Sequence, residues 1–109
     1  MYVEVWGPCA WKFLHAIAAT APPGNAAAVD KYVRILTGVG DILPCEKCRA
    51  HYRQFVAAHP IAEFVDNPQN HEPLQSAPLH TQGNLGLQRW LHNAHNDVNR
   101  RSGKPEMTF

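Results

Sequence analysis

Apolar positions recur at helical spacing along most of the chain, and no stretch of useful length alternates as a strand would. Trp11, Leu14, His15 and Ala18 fall at i, i+3, i+4 and i+7 and predict a helix from Val5 to about Thr20. Ala21-Pro22-Pro23-Gly24-Asn25 ends it. Asn25 is placed to cap a second helix, Ala26 to about Gly38, with Val29, Tyr32, Val33 and Leu36 as its apolar set. Gly38, Gly40, Asp41 and Pro44 break that helix. A third starts at Cys45 and reaches about Ala58, with Tyr52, Phe55 and Val56 turned to the core, and His59-Pro60 stops it.

From about Asp66 to Gly86 the pattern fades. Asn67, Pro68, Asn70, Pro73, Ser76, Pro78, Gly83 and Asn84 predict a long loop there, of the kind that often carries function. Periodicity returns from about Leu85 to Ser102, where Leu87, Trp90, Leu91, Ala94 and Val98 make an apolar face. Gly103 is the expected C-terminal cap, followed by Lys104 and Pro105. Together these elements predict a small all-α bundle.

With 109 residues the natural expectation is one domain, 1–109, with a single small core. A net charge of +1 gives no electrostatic reason for a nucleic-acid or membrane partner. No apolar run is long enough to span a bilayer. The first twenty residues are apolar but include Glu4, Trp6, Lys12 and His15, which suits an amphipathic helix better than a signal peptide.

Three cysteines partition into a pair and a leftover, Cys9. Cys45 and Cys48 stand three apart in the first turn of a helix, just after Pro44. Sulfurs at that spacing can close a small disulfide, and the unpaired N–H groups of the helix end favour a thiolate when it opens. The pair therefore reads as a reversible electron switch. The alternative is half of a zinc site built from Cys45, Cys48 and His51 with a fourth ligand. A thioredoxin-like isomerase is a third reading, disfavoured because no strands support it.

Two helix faces offer partners for a planar ligand. His92, His95, Asn96 and Asn99 line one strip of the last helix, where Lys and Glu would be the usual solvated choices. Arg100, Arg101 and Lys104 stand near its end, suited to phosphates. Trp11 and His15 sit one turn apart on the first helix. His51 follows Cys48 by three positions. A solvated polar strip and a core Trp with a satisfied His are the plainer readings of these two faces. No Walker-type loop, GxGxxG or Ser–His–Asp pattern is present.

Three ordered blocks resemble the Erv/ALR flavin-linked sulfhydryl oxidases. Trp6-Gly7-Pro8-Cys9-Ala10-Trp11-Lys12-Phe13-Leu14-His15 resembles that family's opening WGxxxWxxLH. Leu43-Pro44-Cys45-Glu46-Lys47-Cys48-Arg49-Ala50-His51-Tyr52 resembles its PCxxCxxHF, with Tyr for Phe. Trp90-Leu91-His92-Asn93-Ala94-His95-Asn96-Asp97-Val98-Asn99, continuing to Gly103-Lys104-Pro105, resembles its WLCxxHNxVNxxLGKP.

The resemblance implies FAD held within a four-helix bundle that has a short fifth helical segment. It implies a thiol oxidase that forms disulfides in client proteins, passes electrons to molecular oxygen and releases hydrogen peroxide. Cys48 would be the sulfur beside the flavin and Cys45 the outer sulfur that exchanges with substrate. Gly7, Trp11, His15, His51, His95, Asn96, Val98, Asn99 and Lys104 would line the FAD, and His92, replacing the cysteine of WLC, would lie along it.

A homodimer built on the first two helices is also implied. The electron donor would be a dithiol protein or a thioredoxin-like relay, since no second CxxC forms a shuttle. The compartment would be host cytoplasm or virion for a viral member, and otherwise the mitochondrial intermembrane space. The family's disulfide from WLC to a cysteine after GKPxF has no counterpart in residues 92–109. Cys9 is expected either as a buried free thiol or as an intersubunit disulfide.

Overall fold

The computed structural model describes residues 2–72 and 83–107. Five α-helices run in order, α1 Val3–Thr20, α2 Asp30–Gly38, α3 Glu46–Ala58, α4 Ile61–Asp66 and α5 Leu85–Arg101, with no strand among the described residues. Single 3-10 turns occupy Val39–Ile42 and Pro68–His71. The all-helical expectation stands.

The core lies where the apolar stripes meet. Leu14 and Ala18 of α1, Leu36 of α2, Tyr52 of α3, Ile61 and Val65 of α4, and Leu87, Trp90, Leu91 and Ala94 of α5 are all buried. Trp90 is its centre. Its ring meets Tyr52 and Phe55 edge-on, and its Nε1 donates to the His59 carbonyl at 2.8 Å, so the indole is buried with its polar atom satisfied. Burial pushes the Tyr52 phenol's pKa up, and its hydroxyl donates to the Leu36 carbonyl.

Two boundaries differ from the sequence expectation. Asn25 does cap, its Oδ1 accepting from Ala28 N at 3.0 Å, but residues 26–29 form a turn and regular helix begins only at Asp30. The expected loop from about 66 to 86 is in part ordered. Asn67 and Pro68 act as start signals, with Asn67 Oδ1 accepting from Gln69 N at 3.1 Å and Pro68 opening a 3-10 turn. Arg89 of α5 holds that turn through the carbonyls of Asn70 and Glu72. The rest of the expected loop, residues 73–82, lies outside the described residues. Helix α4 was not read from periodicity, because six residues are under two helical turns.

The ends of α5 are firmly closed. Asn84, fully buried, caps it through Leu87 N at 2.9 Å and donates to the carbonyls of Pro22 and Gly24. At the other end Gly103 takes a φ of +72°. Gly103 N bonds Arg100 O and Lys104 N bonds Asn99 O, the paired bonds of a Schellman cap. That geometry turns residues 104–107 back along α5.

Candidate functional site: the α1/α5 cavity and the disulfide at the head of α3

Helix α1 packs chiefly against α5, and between them lies a cavity of about 1110 Å³. Gly7, Trp11, His15, His92, His95, Val98, Asn99 and Lys104 line it, so eight of the ten expected cofactor residues share one wall. The spacing explains this. Positions 7, 11, 15 and 19 track one face of α1, and 88, 92, 95, 99 and 102 track one face of α5.

The rings are held in a defined order. Trp11 stacks on His95 with centroids 4.1 Å apart and planes 7° from parallel. His15 Nε2 and His95 Nδ1 share a hydrogen bond of 3.3 Å. Rings in contact leave no gap for a third between them, so a flat ligand must lie against the pair. Burial, then the neighbouring His15, His92 and Lys104, lowers the His95 pKa to about 4. Burial and His92 lower that of His15. Both imidazoles are therefore neutral at pH 7, one donating to the other.

Asn96 faces elsewhere. It borders a second cavity of about 370 Å³, shared with Phe55, Phe64, Trp90, His92 and Arg100. Its side-chain amide pairs with both backbone groups of Met107, Nδ2 donating to Met107 O at 2.8 Å and Oδ1 accepting from Met107 N at 2.7 Å. Asn99 Nδ2 donates to the same Oδ1 at 3.2 Å. The tail is thus strapped to α5, and Met107 becomes part of the α1/α5 cavity wall. His92 borders both cavities.

At the head of α3, Cys45 and Cys48 are joined in a disulfide. Cys45 is the N-cap residue, its Sγ accepting from Cys48 N at 3.2 Å. The sulfur thus takes the place of the usual capping oxygen and satisfies one of the orphan donors of the helix end. Both cysteines are half-buried, as is His51 one turn on. Cys45, Cys48 and His51 are not among the residues lining either cavity.

Residues 8–109 match the model of the Erv1 / Alr family. The chain belongs to that family. Among its relatives, a probable FAD-linked sulfhydryl oxidase of Acanthamoeba polyphaga mimivirus is 31% identical over 111 residues, covering 100% of this chain and 66% of the relative. A mitochondrial FAD-linked sulfhydryl oxidase of Schizosaccharomyces pombe is 29% identical over 100 residues, 91% of this chain and 46% of the relative. An FAD-linked sulfhydryl oxidase of Oryza sativa subsp. japonica is 28% identical over 108 residues, 94% of this chain and 44% of the relative. This Erv1/Alr chain thus spans between somewhat under half and about two thirds of the length of these relatives.

The zinc alternative loses its basis. The two sulfurs are bonded to each other, and among the described residues no group of three His, Cys, Asp or Glu converges as metal ligands. No helix among the described residues is long and apolar enough to cross a membrane. The expectation of a buried Cys9 thiol is corrected. Cys9 is free and exposed, because it follows Val5 by one turn on the outer face of α1, opposite the core.

Sequence reasoning missed half of the cavity wall of this Erv1/Alr chain, Lys12, Gln88, Ser102 and Met107 among it. Gln88 was within reach, since it stands one turn before His92 on the same strip. Met107 was not, because only the backbone pairing with Asn96 brings the tail there.

Proposed function

We propose that this chain is an FAD-dependent thiol oxidase that forms disulfides in client proteins through Cys45–Cys48 and passes the electrons to oxygen. The observation that carries this reading is a disulfide at a helix head, in an Erv1/Alr chain whose α1/α5 cavity gathers eight of the expected cofactor residues. The relatives' names point the same way.

The residues present suit FAD. At about 1110 Å³ the cavity slightly exceeds the volumes, about 300–1,000 Å³, that take drug-sized ligands, as a larger dinucleotide requires. Trp11 and the neutral His95 offer a flat apolar face bordered by the imidazoles of His15 and His92, and Lys104 offers a cation for phosphate. Bound there, FAD would supply two-electron acceptance from a thiolate and transfer to oxygen.

The chain's own residues do the rest. A client thiolate attacks the Cys45 sulfur, the Cys45–Cys48 bond breaks, and Cys48 leaves as a thiolate. A second client thiolate then attacks the client sulfur of that mixed disulfide and releases Cys45. The client loses two electrons and two protons, and Cys45 and Cys48 are left reduced. The head of α3 favours a thiolate at Cys45 when the pair is open, since the Cys48 N–H donates to Cys45 Sγ.

A homodimer on α1 and α2 follows from the same reading. Val5, Cys9 and Phe13 stand at i, i+4 and i+8 on its outer face, with Val5 59% and Phe13 66% exposed. Cys9 on that face suits an intersubunit disulfide, and a covalent dimer on a non-reducing gel is expected; a monomer band alone removes that bond. The electron donor is a dithiol protein or a thioredoxin-like relay, and the product of oxygen is hydrogen peroxide. The reading is tested with FAD-loaded protein and dithiothreitol in an oxygen electrode. One hydrogen peroxide formed per oxygen consumed is expected, and no oxygen uptake contradicts it.

A further inference from the structure

The side-chain amide of Asn96 is fully engaged by the chain itself. A primary amide has two donor hydrogens and two acceptor lone pairs. Nδ2 donates to Met107 O at 2.8 Å and toward His92 Nε2 at 3.2 Å. Oδ1 accepts from Met107 N at 2.7 Å and from Asn99 Nδ2 at 3.2 Å. All four positions are taken, and the residue is only 8% exposed. A polar atom of a bound cofactor would find no unused partner on it. The resemblance to the sulfhydryl oxidases sets Asn96 against the FAD, whereas its bonds set it against the tail.

The tail matters because it builds wall. Lys104 and Met107 border the α1/α5 cavity, and Glu106 between them borders the smaller one. Every other residue of the larger wall belongs to α1 or to α5 and its C-cap, Ser102. The tail is therefore the third side of that cavity.

Three ties hold this side, and they are unequal. Lys104 N bonds Asn99 O at 2.8 Å, which fixes where the chain leaves the helix. Glu106 pairs with Arg100, but both side chains are about half exposed, and such a pair adds little. Met107 is 40% exposed, so burial of its side chain does not anchor it. The two bonds from Asn96 remain. They meet the Met107 backbone from a buried amide, where hydrogen bonds are stronger than in water. Asn99, itself a wall residue, holds that amide in the right sense by donating to its oxygen.

We infer that Asn96 is a positioning residue for the cofactor site: it touches no cofactor atom and holds FAD only through the tail, by pinning Met107 as the third side of the α1/α5 cavity. This rests on the FAD-dependent reading above. Without the tie Met107 leaves the wall, and the cavity opens along the edge that Lys104 begins. A wall fixed in advance binds more tightly than one that must be ordered by its ligand. Loss of the tie therefore weakens FAD by about tenfold.

The test is a double-mutant cycle on the full chain, read by FAD fluorescence titration. Asn96→Ala removes the amide, and Met107→Pro removes the N–H that the amide accepts. Each is expected to weaken FAD by about tenfold, and the two together by about tenfold again rather than a hundredfold, because both break one link. Losses that multiply mean that Asn96 meets FAD itself and overturn the proposal, as does native affinity in Asn96→Ala. Should Asn96→Ala fail to fold, Met107→Leu replaces it in the comparison. It keeps the N–H and the bulk, and should bind FAD within about twofold of native while Met107→Pro does not; equal affinity in the two overturns the proposal. Amide exchange reads the tie without FAD. The Met107 N–H should be protected in the native chain and exchange freely in Asn96→Ala while the amides of α5 stay protected; free exchange in the native chain overturns the tie. A native chain that takes up no FAD sinks the thiol-oxidase reading and this inference with it, a result distinct from the others.

Discussion

The α1/α5 wall and the head of α3 are built in opposite ways. The wall joins residues far apart in the chain, with His15 and His95 eighty positions from each other and still hydrogen-bonded. The head is local, since Cys45, Cys48, Arg49 and Leu43 bond within six residues. The wall depends on the whole core for its shape. The head needs only a helix start and a 3-10 turn behind it. A cofactor surface must be preorganised by the fold, whereas an exchanging disulfide must stay reachable by a client.

The largest effect should come from cutting the head without touching the wall. Cys48→Ser is expected to lower dithiol oxidation by about 10³-fold or more, while FAD content per chain stays at the native level. Loss of FAD in that variant would mean that the two regions are one structural unit.

Damage to the core should do the reverse. Asn84→Ala removes the α5 cap and leaves the Pro22 and Gly24 carbonyls without their donor. A loss of about 2–3 kcal/mol is expected in chemical denaturation. The disulfide should still react with dithiothreitol at an undiminished rate in the fraction that remains folded, which thiol labelling reads directly.

Trp11→Ala is a smaller, sharper cut. It deletes the ring stacked on His95. Stacking of this kind is worth about 0.5–1.5 kcal/mol, so FAD should bind roughly three- to tenfold more weakly by fluorescence titration. An unchanged affinity would place the cofactor away from this wall.

The mildest perturbation is pH. The unfolded chain takes up protons near pH 6.5 that folded His95 refuses until about pH 4, and His15 is lowered in the same sense. The unfolded state therefore binds more protons in that window, and stability falls as pH drops from about 6.5 to 4. The melting temperature should decline there. In a His95→Gln variant the decline should be shallower.

Much of this was legible because it follows from helical spacing. The stripe Trp11, Leu14, His15 and Ala18 was read as one face, and it divides in the fold: Leu14 and Ala18 enter the core while Trp11 and His15 turn to α5. Pro44 and the CxxC located the start of α3 to within one residue. Asn84 was read as a loop breaker because an amide among Gly and Pro carries that signal. Its burial, and its bonds to residues sixty positions away, come only with the packed fold. The same holds for Asn96, whose partner is the tail backbone. Helix α4 and the turn after it were hidden by shortness.

The direct test of the account is an anaerobic dithiol titration followed in the visible spectrum. Purified protein should be yellow, and dithiothreitol should bleach the flavin band in the native chain but not in Cys48→Ser. A chain that takes up FAD yet bleaches equally well without Cys48 would contradict the claim that electrons leave the client through this disulfide.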